Sequence, residues 1–430
     1  MGGVMRGGMC LITLVGMLAC SVPDFEPEYF SLEDELGGVR RPAEERILAL
    51  AQAVQSFAGY YCDAGNLIIQ MSNASTVEEA TILALIDQDT LDSCRVRALP
   101  NVVPQAVIGH VQTNFLTLRM WRNSVSDEIL ETPGARSIAI DYRENAIVVN
   151  AEAIGHSVMA KHAVPSSSYR LLPPADLTPE VACANPSNGP TLVDCFRPVT
   201  AGVQINETSS GGGLGFGTCT VGSANDRWMP EFGYWQSGWI TASHCTSVQF
   251  ANQSNWIYQN NVDNQKRVGF EYVDPPGWTC GYYTCRNSDA AWIWADNAAA
   301  QHGTIARTLS TGSKTIDTGY PRFYIRGYPV AVQGMQVEKI GLATGWTTGY
   351  VTNTCADEIE GSFKLICQGR ASYVSGASDS GAPVFRWRYW EGSNADLIGT
   401  HVGTTPGYKV YSPISNIIVD LGSLFLTYPY

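Results

Sequence analysis

The sequence is poor in basic residues for its length. Its 430 residues contain 27 lysines and arginines and 6 histidines against 40 acidic residues, so the net charge is −13 and the isoelectric point is near 4.9. Proteins that bind nucleic acid need clustered Lys and Arg to contact phosphates. The composition therefore argues against DNA or RNA as a partner.

The sequence also lacks Cys-x-x-Cys motifs and other metal-ligand spacings, so we expect neither a metal nor a cofactor. Cys10 and Cys20 belong to an apolar N-terminal segment. Many pairings of the other ten are possible in principle, but an even set of near neighbours predicts disulfide bonds in an oxidising compartment. These near neighbours are Cys62 and Cys94, Cys183 and Cys195, Cys219 and Cys245, Cys280 and Cys285, and Cys355 and Cys367.

Long apolar runs are missing after residue 20, so no later segment has membrane-spanning length. Residues 1–20 are typical of an export signal, with Arg6 before an apolar stretch and Ala19 before Cys20. Two interpretations remain open. Met17 to Cys20 resembles a lipobox, which would leave Cys20 lipidated at the cell envelope, or the chain is secreted free.

The rest of the chain divides by composition. Residues 21–42 are acidic and predict a tether, and 43–158 mix helical and strand patterns, which predicts a small α+β domain. Residues 159–198 are rich in Pro, Ser and Asn and predict a linker. Short apolar runs between turns over 199–430 predict an all-β domain.

Within the α+β domain, the patterns predict individual elements. Ser75 and Glu78 form a capping-box pattern at the start of a helix, and Pro104 precedes a second helical stripe through Val107, Val111, Phe115 and Leu118 to about Trp121. The predicted elements are a helix from 41 to about 57, a hairpin at 59–71, helices at 79–86 and 105–121, and a hairpin at 137–151.

One loop in the all-β region carries candidate chemistry. In the stretch from Ser375 to Phe385, Ser380 lies between Asp379 and Gly381, and Pro383 leads into an apolar run. Such a strained loop can direct backbone N–H groups at a point near a serine hydroxyl, as the oxyanion of acyl transfer requires. Serine is a weak nucleophile and needs an adjacent base.

A base and its partner occur upstream. His244 ends the apolar run 238–245, and Asp289 opens the run 288–293. The order His244, Asp289, Ser380 is that of chymotrypsin-like serine proteases. The stretch 337–349 is similar to the Lys-x-Gly-x-Thr-Thr-Gly-x-Thr run of the bacterial branch. Over about its last 230 residues the chain thus resembles streptogrisin and α-lytic proteases.

The resemblance implies two six-stranded antiparallel β-barrels. It also implies that Ser380 is the nucleophile, His244 the base and Asp289 its orienting carboxylate, with the backbone N–H groups of Ser378 and Ser380 as the oxyanion hole. The bridges Cys219–Cys245 and Cys355–Cys367 match those expected of the family. The α+β domain would be a pro-domain that assists folding or blocks the cleft; the alternative is an accessory binding domain that stays attached.

Two positions depart from the family pattern. Ser378 stands where glycine is usual, and Leu342 stands where an arginine usually pairs with the aspartate before the nucleophile. A buried unpaired carboxylate is costly. We therefore expect Asp379 to pair with a new amino terminus, made by cleavage between about Arg197 and Val203, or with a different Lys or Arg.

Specificity is open between two interpretations. Val374, six residues before Ser380, is not acidic, which disfavours cleavage after Lys or Arg. The stretch 397–403 resembles glutamyl endopeptidases, which implies that His401, with Val402, Gly403 and Ser375, meets a substrate Glu or Asp. The alternative is a structural strand histidine and a pocket for apolar or small residues.

The sequence as a whole predicts an exported, monomeric serine endopeptidase acting on proteins and peptides. The other interpretations are a catalytically inactive binding or adhesion module and an acyl hydrolase that does not cut peptides. The acidic residues Asp357, Glu358 and Glu360 are expected in a solvated loop rather than in a Ca²⁺ site.

Overall fold

The computed structural model describes residues 44–430 except 101, 132–134, 136, 152–153, 173–177, 180–190, 194–197, 209–213, 260–266, 296–299 and 429–430. Residues 41–430 form one compact unit. The expected signal with Cys20 and the tether lie outside the described residues. No helix within the described ranges is long and apolar enough to cross a membrane.

The N-terminal part is a small α+β domain, as predicted. The Ser75 hydroxyl accepts from the Glu78 backbone N–H and the Glu78 carboxylate accepts from the Ser75 backbone, which confirms the capping box. Its elements are α1 (Glu45–Ala53), β1 (Phe57–Asp63), β2 (Asn66–Ser72), α2 (Thr76–Leu85), α3 (Gln88–Asp92), β3 (Ala106–Val111), α4 (Phe115–Glu131), β4 (Ser137–Asp141), β5 (Ala146–Asn150), α5 (Ile154–Lys161) and β6 (Tyr169–Leu172).

The helix predicted to begin after Pro104 is wrong over its first half. Residues 106–111 form β3, which pairs in parallel with β2, and α4 begins only at Phe115. Two causes act together: the β-branched residues here suit a strand with an available partner edge, and the Asn114 side chain accepts from the Thr117 N–H at 2.9 Å, as at a helix start.

The expected boundary at residue 158 falls inside a helix. α5 spans it, and β6 pairs in parallel with β5, so regular structure of the N-terminal domain continues to Leu172. The sequence does not reveal β6, because residues 159–198 are rich in Pro and Ser and the strand is defined only by its parallel pairing with β5.

The remaining strands form the predicted all-β domain. Its elements are β7 (Thr178–Pro179), β8 (Val199–Ala201), β9 (Gln204–Thr208), β10 (Leu214–Thr220), β11 (Ser223–Met229), β12 (Tyr234–Thr241), β13 (Trp256–Tyr258), β14 (Arg267–Val273), β15 (Trp278–Cys280), β16 (Tyr283–Arg286), β17 (Ala291–Ala295), β18 (Ala300–Ala306), β19 (Arg322–Gly327), β20 (Gln336–Gly341), β21 (Gly345–Glu360), β22 (Phe363–Ala371), β23 (Pro383–Trp387), β24 (Asn394–Thr405), β25 (Tyr408–Pro413), α6 (Ile414–Leu421) and β26 (Leu424–Phe425). The first sheet has the order β10-β9-β13-β14-β17-β12-β11-β26, and the second is built around β22-β25-β24-β23-β20-β21.

The fold class is confirmed: a two-sheet β-barrel domain follows a small α+β domain. Each sheet exceeds the six expected strands because extra strands join its edges. In the first sheet the C-terminal β26 pairs with β11. In the second, β4, β5 and β6 of the N-terminal domain continue the sheet beyond β21.

The two domains share this second sheet and an apolar core. β21 pairs antiparallel with β4, and Ile138 and Val149 of the N-terminal domain pack in one cluster with Val337 and Val351 of the β domain. Removing such surface from water provides most of the favourable free energy of association. In the full chain the N-terminal domain thus packs directly against the β domain.

The expectation of a solvated acidic loop is wrong. Asp357 and Glu358 lie in β21 and are 2% and 1% exposed, because pairing with β4 covers them. Buried carboxylates need partners. The Glu358 carboxylate pairs with Arg370 at 2.6 Å, and Asp357 accepts from the Cys367 backbone N–H at 3.0 Å.

Four of the five predicted disulfide bonds are present in the described chain. They are Cys62–Cys94, Cys219–Cys245, Cys280–Cys285 and Cys355–Cys367. The fifth predicted bridge joins Cys183 and Cys195. Both Cys183 and Cys195 lie outside the described residues, within 180–190 and 194–197, so this bridge is neither confirmed nor contradicted and stays a prediction.

Candidate active site

The first sheet brings the predicted base and its carboxylate together. His244 lies in a single helical turn directly after β12, and Asp289 lies just before β17. β12 and β17 are paired, with Thr241 opposite Ala291, so both residues emerge at the same end of the strand pair. The Cys219–Cys245 bridge ties the histidine turn to the neighbouring β10.

Ser380 reaches this pair from the second sheet, in the loop between β22 and β23. The His244 Nε2 atom is 2.8 Å from Ser380 Oγ, and Nδ1 is 2.5 Å from Asp289 Oδ2. The other carboxylate oxygen accepts from the His244 backbone N–H at 3.1 Å. With its proton on Nδ1, the imidazole can accept the serine proton at Nε2.

The environment keeps Asp289 ionised. Burial by itself would raise the pKa of Asp289, but the adjacent His244 imidazole and its hydrogen bonds, with a smaller contribution from Arg286, hold that pKa below its ordinary value. Arg286 is fixed behind the site by Asp274 at 2.5 Å and Asp420 at 3.3 Å. A fixed anion here favours a positive charge on the imidazole.

The loop around Ser380 adopts the conformation that a glycine would adopt most readily. Ser378 has φ +84°, in the left-handed region that most side chains avoid. The Thr220 hydroxyl donates to the Ser378 carbonyl at 2.8 Å, and the Thr220 backbone N–H donates to the Ser380 carbonyl at 2.8 Å. These contacts with β10 compensate for the strained backbone.

Asp379 has the cationic partner that Leu342 cannot supply. The Lys339 Nζ atom is 2.6 Å from Asp379 Oδ2, and both side chains are fully buried. The Thr344 hydroxyl donates to the same oxygen at 2.6 Å, and the Ala343 N–H donates to Oδ1 at 2.8 Å. The structure supports the second expectation, in which a different Lys or Arg pairs with Asp379, and that residue is Lys339.

This network sets the charge of Asp379. Burial raises the pKa of Asp379, but the Lys339 ammonium and the hydrogen bonds from Lys339 and Thr344 outweigh it and hold the pKa below its ordinary value. The aspartate is therefore an anion next to Ser380, and its bonds determine the shape of the loop.

The predicted pocket residues lie along β24 and the loop before Ser380. Val402 offers its carbonyl to the Ser380 hydroxyl at 3.3 Å, and Ser375 Oγ is 3.0 Å from Thr404 Oγ1. His401 is fully buried, and its Nδ1 atom is 3.0 Å from the Tyr373 hydroxyl. Gly403 follows in the same strand.

β24 is also in contact with the segment that leads from the N-terminal domain. β7 pairs antiparallel with it, placing Thr178 opposite Thr404 and Pro179 opposite Gly403. The chain therefore places its own extended segment next to the serine loop.

Sequence reasoning missed several neighbours of these residues. Lys339 belongs to the 337–349 run that carried the resemblance, so a signal existed for it. Tyr373 and Gln249 belong to no motif, and Glu360 was considered only as part of the acidic cluster with Asp357 and Glu358. Gln249 donates to Asp289 Oδ1 at 3.3 Å, and only the folded chain brings the two residues together.

No family model matches this chain, and no curated protein sequence matches it. Several solved structures are similar to it. Thermobifida fusca protease A is 16% identical, covering 54% of this chain and 99% of its own, with a TM-score of 0.38. A glutamic acid-specific serine protease, described as using a histidine triad in substrate binding, is 21% identical, covering 53% of this chain and 100% of its own, with a TM-score of 0.37. A Cellulomonas bogoriensis chymotrypsin is 18% identical, covering 53% of this chain and 97% of its own, with a TM-score of 0.36.

Proposed function

We propose that this chain is an exported serine endopeptidase that hydrolyses peptide bonds through an acyl-enzyme. The observation that supports it most is the position of His244, hydrogen-bonded at one ring nitrogen to a buried carboxylate and at the other to the Ser380 hydroxyl. A hydroxyl in contact with an oriented imidazole is the arrangement that activates a serine.

In the proposed reaction, Ser380 Oγ attacks the substrate carbonyl carbon while its proton moves to His244 Nε2. The backbone N–H groups of Ser378 and Ser380 stabilise the resulting oxyanion. Collapse breaks the C–N bond, and the leaving amine takes the proton from His244. Water then repeats the sequence on the acyl-enzyme and releases the carboxylic acid and free Ser380. Asp289 stays ionised throughout and stabilises the imidazolium.

We propose further that the α+β domain is a pro-domain and that the precursor is latent. Extended peptides commonly bind by adding a strand to a sheet edge. β7 is paired in that way with Gly403 and Thr404, beside Ser380. A segment in this place competes with substrate, which supports a pro-domain rather than an attached accessory domain. Cleavage of the chain after β7 would allow β7 to leave β24, so that substrate could pair there instead.

For specificity, we propose a preference for Glu or Asp at the cleaved position. His401 lies in the same strand as Val402, whose carbonyl contacts Ser380, and an imidazolium there would attract a substrate carboxylate. The other candidate is an apolar preference, with His401 held as a structural residue by Tyr373.

Export is supported by the four disulfide bonds, which persist in oxidising compartments. For the mature protein we keep two separate proposals: it is secreted free, or it is attached to the cell envelope through a lipid on Cys20. Mass spectrometry of Cys20-containing peptides from membrane and medium fractions distinguishes the two.

The deciding experiment treats the purified full chain, before and after it has been trimmed, with a fluorophosphonate probe alongside Ser380→Ala. Labelling that requires Ser380, with faster labelling after trimming, supports the protease and its latency. A mixed peptide library then gives the cleavage preference. Absence of labelling in both forms would indicate a binding module, and turnover of esters without peptides would indicate a different acyl hydrolase.

A further inference from the structure

A second carboxylate lies beside the Asp289–His244 pair. Gln249 lies in the loop after the histidine turn, and its Nε2 atom is 3.3 Å from Asp289 Oδ1 and 3.4 Å from Glu360 Oε2. A side-chain amide carries two N–H donors. One amide group therefore connects the buried aspartate to the last residue of β21.

Packing holds this arrangement in place. Phe250, next to Gln249, packs edge-on against Phe363 across the β21–β22 hairpin, with ring centroids 4.7 Å apart. The Phe250 backbone N–H donates to Ser243 Oγ at 2.8 Å, which ties the loop to the histidine turn. Glu360 itself pairs with Phe363 in the hairpin register. The hairpin tip and the Gln249 loop are thus packed together.

The charges around Glu360 come from both packed elements. His244 and Asp289 face it from the histidine side, and behind them Arg286 is already paired with Asp274 and Asp420. On its own hairpin, Glu358 is paired with Arg370, and Lys364 lies 3.8 Å from Asp357 and 3.2 Å from Asp127 of α4.

Burial raises the pKa of Glu360 to about 7, partly offset by attraction to His244. The carboxyl group therefore changes charge in the neutral range. Below that range it is a neutral neighbour of the imidazole, and above it an anion. An anion stabilises imidazolium more than neutral imidazole, so its effect is greater in the transition state than in the ground state.

We propose that Gln249 and Glu360 are positioning residues of the Ser-His-Asp site. Gln249 holds the Asp289 carboxylate, and ionised Glu360 stabilises the imidazolium that His244 forms during acylation. The inference rests on the proposed serine protease function and adds a pH-dependent contribution to it.

The test compares kcat/KM for peptide hydrolysis by wild type and Glu360→Gln between pH 5.5 and 9, using the purified full chain in whichever form, untrimmed or trimmed, shows Ser380-dependent fluorophosphonate labelling. The wild type to variant ratio is expected to be near one at pH 5.5 and to rise through pH 7 to about threefold or more at pH 8.5. Gln249→Ala is expected to lower kcat with little change in KM. Glu391→Gln, which changes a carboxylate that contacts Arg388 and Trp390, serves as the matched control.

A ratio that is the same at every pH would mean that Glu360 acts only on structure, and would overturn the inference. A pH profile of Glu360→Gln identical to that of wild type would overturn it as well. Circular dichroism and the melting temperature establish that each variant is folded before its kinetics are compared. If the wild type itself shows no Ser380-dependent fluorophosphonate labelling, the proposed function fails instead, which keeps the two failures distinct.

Discussion

The Lys339 ammonium of β20 and the carboxylate of Asp379, the residue before Ser380, form a fully buried ion pair, 2.6 Å apart. Thr344 and the Ala343 N–H complete the coordination of the carboxylate. Because both carboxylate oxygens of Asp379 are bonded to β20 or to the turn after it, the shape of the serine loop depends on the second sheet.

Removing the cation should destabilise the chain. In Lys339→Met an uncompensated anion is left in the interior, so we expect a loss of about 3–5 kcal/mol in the free energy of unfolding at pH 7, measured by urea denaturation. Asp379→Asn combined with Lys339→Met should recover more than half of that loss.

The same pair predicts a pH dependence. Since the pKa of Asp379 is lowered in the folded state, its contribution is present above the unfolded pKa and is lost as pH falls through the folded pKa. The difference between wild type and Lys339→Met should therefore shrink in acid. A difference that stayed constant down to about pH 3 would contradict the ion pair.

Ser378 offers a test of backbone strain. At φ +84° a glycine fits without penalty and a β-branched residue does not. Ser378→Gly should retain the activity of wild type, whereas Ser378→Val should lose about 10²-fold or more in kcat because an oxyanion donor is displaced. Equal activity of the two variants would exclude a role for this backbone conformation.

Glu207 in β9 should make the protein less stable as pH rises. It is 3% exposed, and neither of its carboxylate oxygens has a donor in good hydrogen-bond geometry among the described residues, although Asn255 and the Ser247 backbone lie near it. Burial raises the pKa of Glu207 to about 8, against weaker opposing effects of Asn255 and Ser247. A group with a raised pKa contributes stability below its unfolded pKa and loses it as pH rises through the folded value. Wild type should thus lose stability between about pH 5 and pH 8.

Glu207→Gln should remove the part of that loss that Glu207 causes, so that between pH 5 and pH 8.5 the variant gains about 4 kcal/mol in stability relative to wild type. Melting temperatures across this range provide the measurement. The control is Glu45→Gln, which changes an exposed carboxylate at the start of α1 and should leave the loss of stability between about pH 5 and pH 8 in place. A wild-type stability that is flat from about pH 5 to pH 8 would contradict the prediction.

His401→Leu tests the acidic pocket. If the imidazole binds a substrate carboxylate, loss of a charge-assisted hydrogen bond should lower kcat/KM for cleavage after Glu by about 10- to 100-fold. Cleavage after an apolar residue should change little. Tyr373→Phe, which removes only the hydroxyl bound to Nδ1, should have a smaller effect. Equal losses on both substrates would favour the structural role of His401.

Much of the site was predictable because short stretches carry it. His244, Asp289 and Ser380 each end or begin an apolar strand, and their order along the chain was enough to propose contact. The four observed bridges join near neighbours, where loop closure costs little entropy. The Ser75 capping box is entirely local, and it forms as predicted.

Tertiary structure decided what depends on distant partners. Residues 106–111 became a strand because β2 offered an edge, and Asp357 and Glu358 became buried because β4 covers β21. Lys339, Gln249 and Glu360 reach the site from separate strands and loops. A pattern of one or two residues fixes local geometry, but which charges meet in a low-dielectric interior is set by packing of the whole chain.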